Sequence, residues 1–222
     1  MRFRDVFSII GPAMIGPSSS HTAGALRIGR VGYQLLGSRP ERARITLYGS
    51  FAETYAGHGT DLALIGGLLG RSENDPGIAR ARELAQAQGM DTEFIKAKAA
   101  AEHPNTVSLQ LQRLEEGLEL TGASIGGGNI VIREVDGFRC SFTADTPTLL
   151  IYHSDRPGVI AEVTRLLSCA SVNIARMSLD RQGREAGALA ILETDQRPTP
   201  SLLREISNVA HVSKVREVDM NR

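Results

Sequence analysis

A run of hydroxyl side chains around one histidine is the first feature of this sequence that could bind a small molecule. The run consists of Ser18, Ser19, Ser20, His21 and Thr22, and it stands before a predicted helix. Hydroxyl oxygens and free backbone N–H groups at a helix N-terminus can together bind a carboxylate or a phosphate. A helix cap needs only one such residue, so we predict a binding loop as well as a cap.

A second histidine, His58, lies between glycines in the segment GHGTD at 57–61. The glycines leave its imidazole sterically open, and the positive end of the following helix dipole disfavours the protonated ring. A neutral imidazole near pH 7 can accept a proton from carbon and so act as a general base. A loop histidine that serves only to pack the structure is the alternative. The residues alone favour the two roles equally.

A third histidine, His103, opens the segment HPNT at 103–106, just before a predicted strand. Its imidazole and the amide of Asn105 could both bind a carboxylate. Proline and asparagine are common in any turn, so from these residues alone an ordinary turn is the favoured interpretation.

The apolar pattern predicts the helices and strands that would position these segments. Helical spacing of apolar residues runs from Ala25 to Leu35 and ends at Gly37, and a short buried helix is expected over 61–69. His58 therefore falls in the loop before that second helix. Further predicted elements are strands at 45–48, 106–112 and 119–121, a helix at 78–88, and a hairpin of 130–135 and 138–142 turned by Asp136-Gly137.

The pattern changes at 144–147, and a regular order of strand, helix, strand, strand, helix, strand follows. This β-α-β-β-α-β order is typical of ferredoxin-like domains. We predict an α+β protein with an α/β domain at 1–143 and a ferredoxin-like domain at 148–222. The predicted elements of the second domain are 148–153, 158–169, 172–180, 186–193, 199–208 and 212–218.

Composition excludes several classes of function. Among the 222 residues, Lys plus Arg equals Asp plus Glu at 25 each, so no excess positive charge favours nucleic acid or a membrane surface as a partner. The apolar runs are much shorter than the ~20 residues of a membrane span, and no signal peptide is evident. We expect a cytoplasmic location. The only lysines, Lys96, Lys98 and Lys214, lack a phosphate-binding context, which argues against a pyridoxal-phosphate enzyme.

Cysteine is scarce. Cys140 and Cys169 are the only two, and they are far apart in the sequence. Neither a disulfide framework nor a metal site on this chain alone is expected. An iron–sulfur cluster is normally held by three or four thiolates, which this chain cannot supply.

Five segments together resemble the β chain of iron–sulfur L-serine dehydratases, and the resemblance extends over essentially the whole chain. The segments are GPAMIGPSSSHTAG at 11–24, YGSFAET at 48–54, GHGTD at 57–61, HPNT at 103–106 and SIGGG at 124–128. The first domain also resembles the allosteric substrate-binding domain of some phosphoglycerate dehydrogenases. Single-chain relatives continue into a cysteine-bearing α region, so this chain resembles the two-subunit form.

The resemblance implies an activity and a partner. L-Serine would lose its Cα proton and water, and the product would become pyruvate and ammonia. A [4Fe–4S] cluster with cysteine ligands on a separate α chain would act as a Lewis acid on the hydroxyl group. The resemblance further implies that His58 is the base, that His103 and Asn105 bind the carboxylate, and that Ser18, Ser19, Ser20, His21 and Thr22 form the surrounding substrate loop.

The second domain resembles an ACT domain through DRPG at 155–158 and Asn173 at the start of the second strand. ACT domains commonly bind amino acids between paired copies, and Gly158 would let a ligand carboxylate approach the backbone. We therefore expect an ACT-mediated homodimer with an effector site at Asp155, Gly158 and Asn173. A module that only dimerises is the alternative.

Two other functions compete with the dehydratase. The chain could be a stand-alone amino-acid-sensing regulatory protein, in which both domains bind serine. A phosphate-handling transferase is less favoured, because no metal-binding carboxylate cluster accompanies the serine-rich loop. A cysteine-rich α chain encoded beside this one would favour the dehydratase.

Overall fold

The computed structural model describes residue 16, residues 18–183 and residues 186–220. Residues 11–15 and 17, which belong to the motif at 11–24, lie outside the described residues. No helix in the described ranges is long and apolar enough to cross a membrane.

The chain divides into two compact units, Met1–Asp136 and Gly137–Arg222. This division falls in the predicted Asp136-Gly137 turn, a few residues before the change of sequence pattern at 144–147. The domain bounds 1–143 and 148–222 stay a prediction.

In the first unit helices pack on a sheet, which confirms the predicted α/β fold. Side chains along β1 (Arg42–Leu47) alternate between exposed and buried, as in a strand with one polar and one packed face. Helix α1 (Gly24–Leu36) packs on the same sheet. The remaining elements of the unit are α2 (Gly49–Thr54), α3 (Thr60–Leu68), a 3-10 turn (Pro76–Arg80), α4 (Ala81–Ala87), β2 (Asp91–Lys96), β3 (Thr106–Arg113), β4 (Glu116–Gly126) and β5 (Asn129–Val135).

Within the first unit the strand order of this sheet is β2-β1-β3-β4-β5, and β6 (Phe138–Phe142) follows along the chain after the Asp136-Gly137 turn. Strand β1 is parallel to β2 and antiparallel to β3. The two strands of the predicted hairpin, β5 and β6, are present, and Asp136 and Gly137 between them have φ of 50° and 78°. Positive φ at both residues is what a type I′ turn requires.

Two elements near the site were not predicted from the sequence. Edge strand β2 begins with Asp91-Thr92-Glu93, a polar run without the apolar alternation of a half-buried strand. Helix α2 has only six residues, too few for a helical period to appear.

The segment at 18–22 is helical rather than a loop, which corrects the prediction. Ser18 is the N-cap, and its Oγ accepts a hydrogen bond from the His21 backbone N at 3.1 Å. Ser19 and Ser20 then begin a π-helical turn, Ser19–Ala23, that continues directly into α1. A π-helical turn, in which a backbone N–H bonds the carbonyl oxygen five residues earlier, is rare in proteins. The turns of this kind that do occur are frequently at functional sites. Composition cannot distinguish such a turn from a loop.

Helices α1 and α3 approach so closely that their backbones touch. A Cβ atom added to Gly29 would lie 2.5 Å from the Leu64 carbonyl oxygen and 3.1 Å from the Gly67 Cα. A Cβ atom on Gly67 would overlap the Leu26 carbonyl oxygen. Only glycine allows this separation, and the N-terminal ends of the two helices are thereby brought together.

The second unit confirms the ferredoxin-like prediction. Its sheet has the order β10-β7-β9-β8, in which the first and third strands of the motif are central. Leu149, Ile151, Ala190 and Leu192 from the two central strands pack against both helices. The elements are β7 (Thr148–Ser154), α5 (Val159–Cys169), β8 (Ile174–Arg181), β9 (Gly187–Thr194), α6 (Pro200–Ser207) and β10 (Val212–Val218).

The helix contact predicts that Gly67→Ala destabilises the first unit by about 1–3 kcal/mol, the usual cost of overpacking. The added methyl group would also lie 2.7 Å from the Arg30 backbone N. Gly66→Ala is the matched control, because its methyl group would first meet Ile78 Cγ1 at 3.4 Å and alanine favours a helix by roughly 1 kcal/mol. Urea unfolding followed by circular dichroism compares the two variants. Equal midpoints would contradict the close helix contact.

Candidate functional site

Two histidine rings from different helices face each other where α1 and α3 begin. His21 lies in the π turn before α1, and His58 lies in the turn before α3. Their ring centroids are 4.9 Å apart, with 34° between the planes. Thr22 Oγ1 donates a hydrogen bond to the His58 carbonyl oxygen at 3.1 Å. The structure therefore brings together two of the three segments that the sequence singled out.

His21 is held by hydroxyl groups on both sides of its ring. Nε2 lies 3.0 Å from Ser50 Oγ, and Nδ1 lies 3.5 Å from Ser18 Oγ. The ring also meets Phe51 edge to face at 5.4 Å. Burial disfavours the charged ring and His58 repels it, so the pKa of His21 lies below its ordinary value of 6.5. His21 is therefore mainly neutral at pH 7.

The hydrogen bonds of His58 assign its neutral tautomer. Its Nδ1 lies 3.3 Å from the Thr54 carbonyl oxygen, which can only accept a hydrogen bond. The proton of the neutral ring is therefore assigned to Nδ1, which leaves a lone pair on Nε2. No hydrogen-bond partner of Nε2 lies among the described residues. An acceptor nitrogen of this kind is what a general base needs.

His103 has the opposite tautomer. Its Nδ1 accepts a hydrogen bond from the Asn105 backbone N at 3.1 Å, so the neutral ring carries its proton on Nε2. Thr106 Oγ1 donates to the His103 carbonyl oxygen at 2.7 Å and closes the turn. The second ring nitrogen of His103, Nε2, is thus a donor in the neutral ring. A donor suits the binding of a carboxylate, whereas it could not accept a proton from a substrate.

The His103 turn is joined to the start of α2. The Phe51 backbone N donates to the Pro104 carbonyl oxygen at 3.4 Å. Gly49 has a φ of 50°, and an added Cβ atom would lie 2.7 Å from the same oxygen. This close approach sets the third predicted segment beside Ser50, the partner of His21.

Sequence reasoning missed the contributions of Ser50, Thr54 and Ser124. All three occur in segments that were matched only as family motifs, with no role attached. The signal for Ser50 was its place after an apolar strand, where small residues begin a short helix. Ser124 Oγ is buried beside Gly24, and it has no hydrogen-bond partner among the described residues; the same holds for Thr60 Oγ1 and Asn105 Oδ1.

The three predicted effector residues do not meet within one chain. Asp155 Oδ2 pairs with Arg181 Nη1 at 3.1 Å, and Gly158 caps α5 with a φ of 92°. Asn173 instead donates through Nδ2 to Asp195 Oδ2 at 2.6 Å. Because Ser154 pairs with Gly187 and Ile174 with Thr194, Asp155 and Asn173 lie at opposite ends of the sheet.

The cysteines of this chain do not form a ligand set for a cluster. Cys140 is partly buried in β6, and Cys169 is exposed at the end of α5. In the part of the chain that the structure describes, no group of three His, Cys, Asp or Glu side chains could hold a metal ion. An iron–sulfur cluster, which needs about three thiolates, does not fit these residues.

The fold and site define a class of protein: an α/β domain with a histidine pair at two helix N-termini, followed by an ACT-type domain. Comparison with protein families agrees. Residues 3–85 match the family described as serine dehydratase beta chain, and residues 148–211 match the ACT domain.

Known proteins resemble the chain over nearly its full length. It is 46% identical to the "Probable L-serine dehydratase, beta chain" of Bacillus subtilis, over 98% of this chain and 99% of that protein. It is 33% identical to the L-serine dehydratase beta chain of Peptoniphilus asaccharolyticus, over 96% and 97%. The chain therefore belongs to the serine dehydratase beta chain family.

A third comparison bears on the fold. The D-3-phosphoglycerate dehydrogenase of Synechocystis is 30% identical over 81% of this chain and 32% of its own length. This relation confirms the resemblance to phosphoglycerate dehydrogenases that the sequence indicated.

The histidine pair predicts a titration effect. His58→Gln should raise the pKa of His21, because one of the two causes of its lowering is removed, and burial should still keep it below 6.5. His103→Gln is the matched control and should leave the pKa of His21 as it was. Nuclear magnetic resonance of the imidazole nitrogens measures both. A His21 pKa that is equal in the His58 variant and the wild type would contradict the pairing.

The same lowered pKa affects stability. The unfolded chain takes up this proton more readily than the folded chain as the pH falls below 6.5. The free energy of unfolding therefore decreases as the pH falls from 6.5 through the lower pKa of His21 in the folded chain. Above pH 6.5 the ring is mainly neutral in both states, and the full stability is present.

Proposed function

We propose that this chain is the β subunit of an L-serine dehydratase and works with a separate α chain. Its family membership supports the substrate, since relatives of nearly equal length carry that name. The observation that carries the chemistry is the contact of His58 Nδ1 with the Thr54 carbonyl oxygen at 3.3 Å. This contact assigns the proton of the neutral ring to Nδ1 and leaves Nε2 as an acceptor.

The reaction begins with the transfer of the Cα proton of L-serine to His58 Nε2. The electron pair of the broken C–H bond forms a carbon–carbon double bond as hydroxide leaves from Cβ. The proton and the hydroxide together make water, and 2-aminoacrylate remains. Its imine tautomer takes up water and yields pyruvate and ammonia, so the atoms balance.

The other predicted residues bind the substrate. The Nε2–H group of His103 donates to the carboxylate, with the Asn105 amide beside it. The π turn with Ser18, Ser19, Ser20, His21 and Thr22 surrounds the substrate. A neutral His21 adds no positive charge next to the base, so the approach of a proton to His58 is not opposed by a second imidazolium.

The iron–sulfur cluster belongs to the α chain in this proposal. The cysteines of the present chain do not fit a cluster, and a bare hydroxide is a poor leaving group that none of the residues described above stabilises. We therefore place a [4Fe–4S] cluster with cysteine ligands on the α chain. A cytoplasmic location is part of the same proposal.

The second unit forms a homodimer in this proposal through the edge strand β8. Met177 and Leu179 on this strand are 49% and 51% exposed, although they lie opposite the core residues Leu192 and Ala190 of β9. Exposed apolar edge strands tend to pair with another chain. Antiparallel pairing of two β8 strands would bring Asn173 of the partner subunit to the end of the sheet that carries Asp155 and Gly158. An amino-acid effector such as L-serine would then contact both chains.

The base assignment predicts that His58→Ala lowers kcat of the two-chain enzyme by about 10²–10⁴, the usual contribution of a general base. His211→Asn, a substitution at an exposed histidine of the second unit, is the control and should retain the wild-type rate. Pyruvate formation from L-serine is measured with the iron content of each preparation verified. A His58→Ala rate within about tenfold of the wild type would mean that the activation free energy rises by only ~1.4 kcal/mol. Such a small increase would contradict the assignment of His58 as the base. A wild-type pair that binds L-serine without turnover would favour the sensing regulator.

The dimer proposal predicts that Leu179→Lys converts the full chain to a monomer in sedimentation, because it places a charge on the pairing edge. Leu114→Lys is the matched control, since Leu114 is exposed in the first unit and should leave the dimer intact. Calorimetry with L-serine then tests the effector, and we expect the monomeric variant to lose that binding. A wild-type chain that is monomeric would remove the shared site.

A further inference from the structure

The turn that carries His58 is held at both ends by one column of stacked side chains. We propose that Arg82, which joins Asp61 to the aromatic rings of this column, is a positioning residue that fixes the orientation of His58. The inference rests on the proposed role of His58 as the base. It assigns a function to a residue that lies outside every motif described above.

The column runs from Asp61 through Arg82, Phe94 and Tyr55 to Lys96. Arg82 bonds Asp61 Oδ2 through Nη2 at 2.6 Å and through Nε at 3.0 Å. The guanidinium carbon of Arg82 also lies 5.2 Å from the centre of the Phe94 ring, within the range of a cation–π contact. Phe94 in turn stacks on Tyr55, with ring centres 5.9 Å apart and 11° between the planes. Lys96 Nζ closes the column 5.1 Å from the Tyr55 ring.

The two ends of the His58 turn belong to this column. Tyr55 ends α2 and precedes His58, whereas Asp61 follows His58 in the first turn of α3. The Tyr55 carbonyl oxygen also accepts a hydrogen bond from the Thr60 backbone N at 2.9 Å, which closes the turn. A displacement of the column therefore moves both ends of the segment that holds the base.

The turn needs such an external support because its own residues are permissive. Gly57 and Gly59 flank His58, and Gly59 has a φ of 65°. Glycine leaves the backbone many accessible conformations, so the local sequence fixes the imidazole weakly. The direct contacts of His58 are its hydrogen bonds with Thr54 and Thr22 and its ring contact with His21. The column adds a restraint at the two ends of the turn.

Burial separates this ion pair from an ordinary surface pair. The Asp61 side chain is only 10% exposed, whereas that of Arg82 is 51% exposed. Loss of Arg82 would leave a mostly buried carboxylate without its partner, and such a group moves toward water or takes up a proton. Either change occurs in the first turn of α3, next to His58. The neighbouring pair of Arg80 and Glu83 is about 70% exposed on both sides and touches neither end of the turn.

The test compares Arg82→Gln with Arg80→Gln, which removes a nearby arginine from the solvent-exposed pair. The first measurement is the imidazole nitrogen spectrum of His58 in the isolated chain. We expect the Nδ1–H form to dominate in the wild type and in Arg80→Gln. In Arg82→Gln the Nε2–H form, which free histidine prefers, should gain population at the expense of the Nδ1–H form, because the Thr54 contact is no longer held.

The second measurement is steady-state kinetics of the two-chain enzyme. We expect Arg82→Gln to lower kcat by about tenfold to a hundredfold with little change in KM, since misplacement of a catalytic group costs rate rather than binding. Arg82→Lys, which keeps the charge but loses the forked bonding, should recover only part of the rate. Phe94→Leu is the second variant, for use if Arg82→Gln proves unstable. It breaks the column between Arg82 and Tyr55, and we expect the same change in the His58 spectrum as predicted for Arg82→Gln.

The outcomes separate this inference from the proposed function. A wild-type pair that does not dehydrate serine would refute the function, while the spectrum of His58 would still decide the positioning role. An active enzyme in which Arg82→Gln and Arg80→Gln have equal kcat and equal His58 spectra would overturn the inference. A fall in kcat with an unchanged His58 spectrum would also overturn it.

Discussion

The backbone contact between α1 and α3 is the constraint on which the candidate site depends. Gly29 and Gly67 allow these helices to approach until a carbonyl oxygen of one meets a glycine of the other. Each helix begins with a segment that carries a histidine, so the contact that joins the helices also sets the distance between His21 and His58. Any side chain at Gly67 would push the helices apart and separate the rings. Packing and chemistry are thus fixed by the same glycines.

Single backbone groups give the histidines different chemical characters. A carbonyl oxygen accepts from Nδ1 of His58, whereas a backbone N–H donates to Nδ1 of His103. The neutral form of the first ring therefore presents an acceptor and that of the second a donor, although both are imidazoles in short turns. Partial burial and the neighbouring ring lower the pKa of His21. The acceptor on His58, the donor on His103 and the lowered pKa of His21 thus follow from the environment of each ring rather than from its residue type.

The sequence predicted the elements whose pattern is local and missed those decided by distant contacts. Helix α1 and the six elements of the second unit follow from apolar periodicity, and Asp136-Gly137 determines a hairpin by its turn chemistry. Strand β2 and helix α2 were missed because an edge strand can be polar and a six-residue helix shows no period. For the site, the sequence identified three histidines, but their tautomers depend on backbone partners that only the fold brings close. The opposite placement of Asp155 and Asn173 likewise depends on strand direction, which residue types do not encode.

Anaerobic iron–sulfur reconstitution tests most directly the proposed division of work, in which this chain supplies the base and a partner α chain supplies the cluster. The purified chain is treated alone and together with a cysteine-rich α chain, and iron content, the visible spectrum and pyruvate formation from L-serine are recorded. The account predicts a colourless, inactive single chain, with both cluster and activity present once the α chain is added. A stable brown preparation of the single chain that dehydrates serine would contradict it.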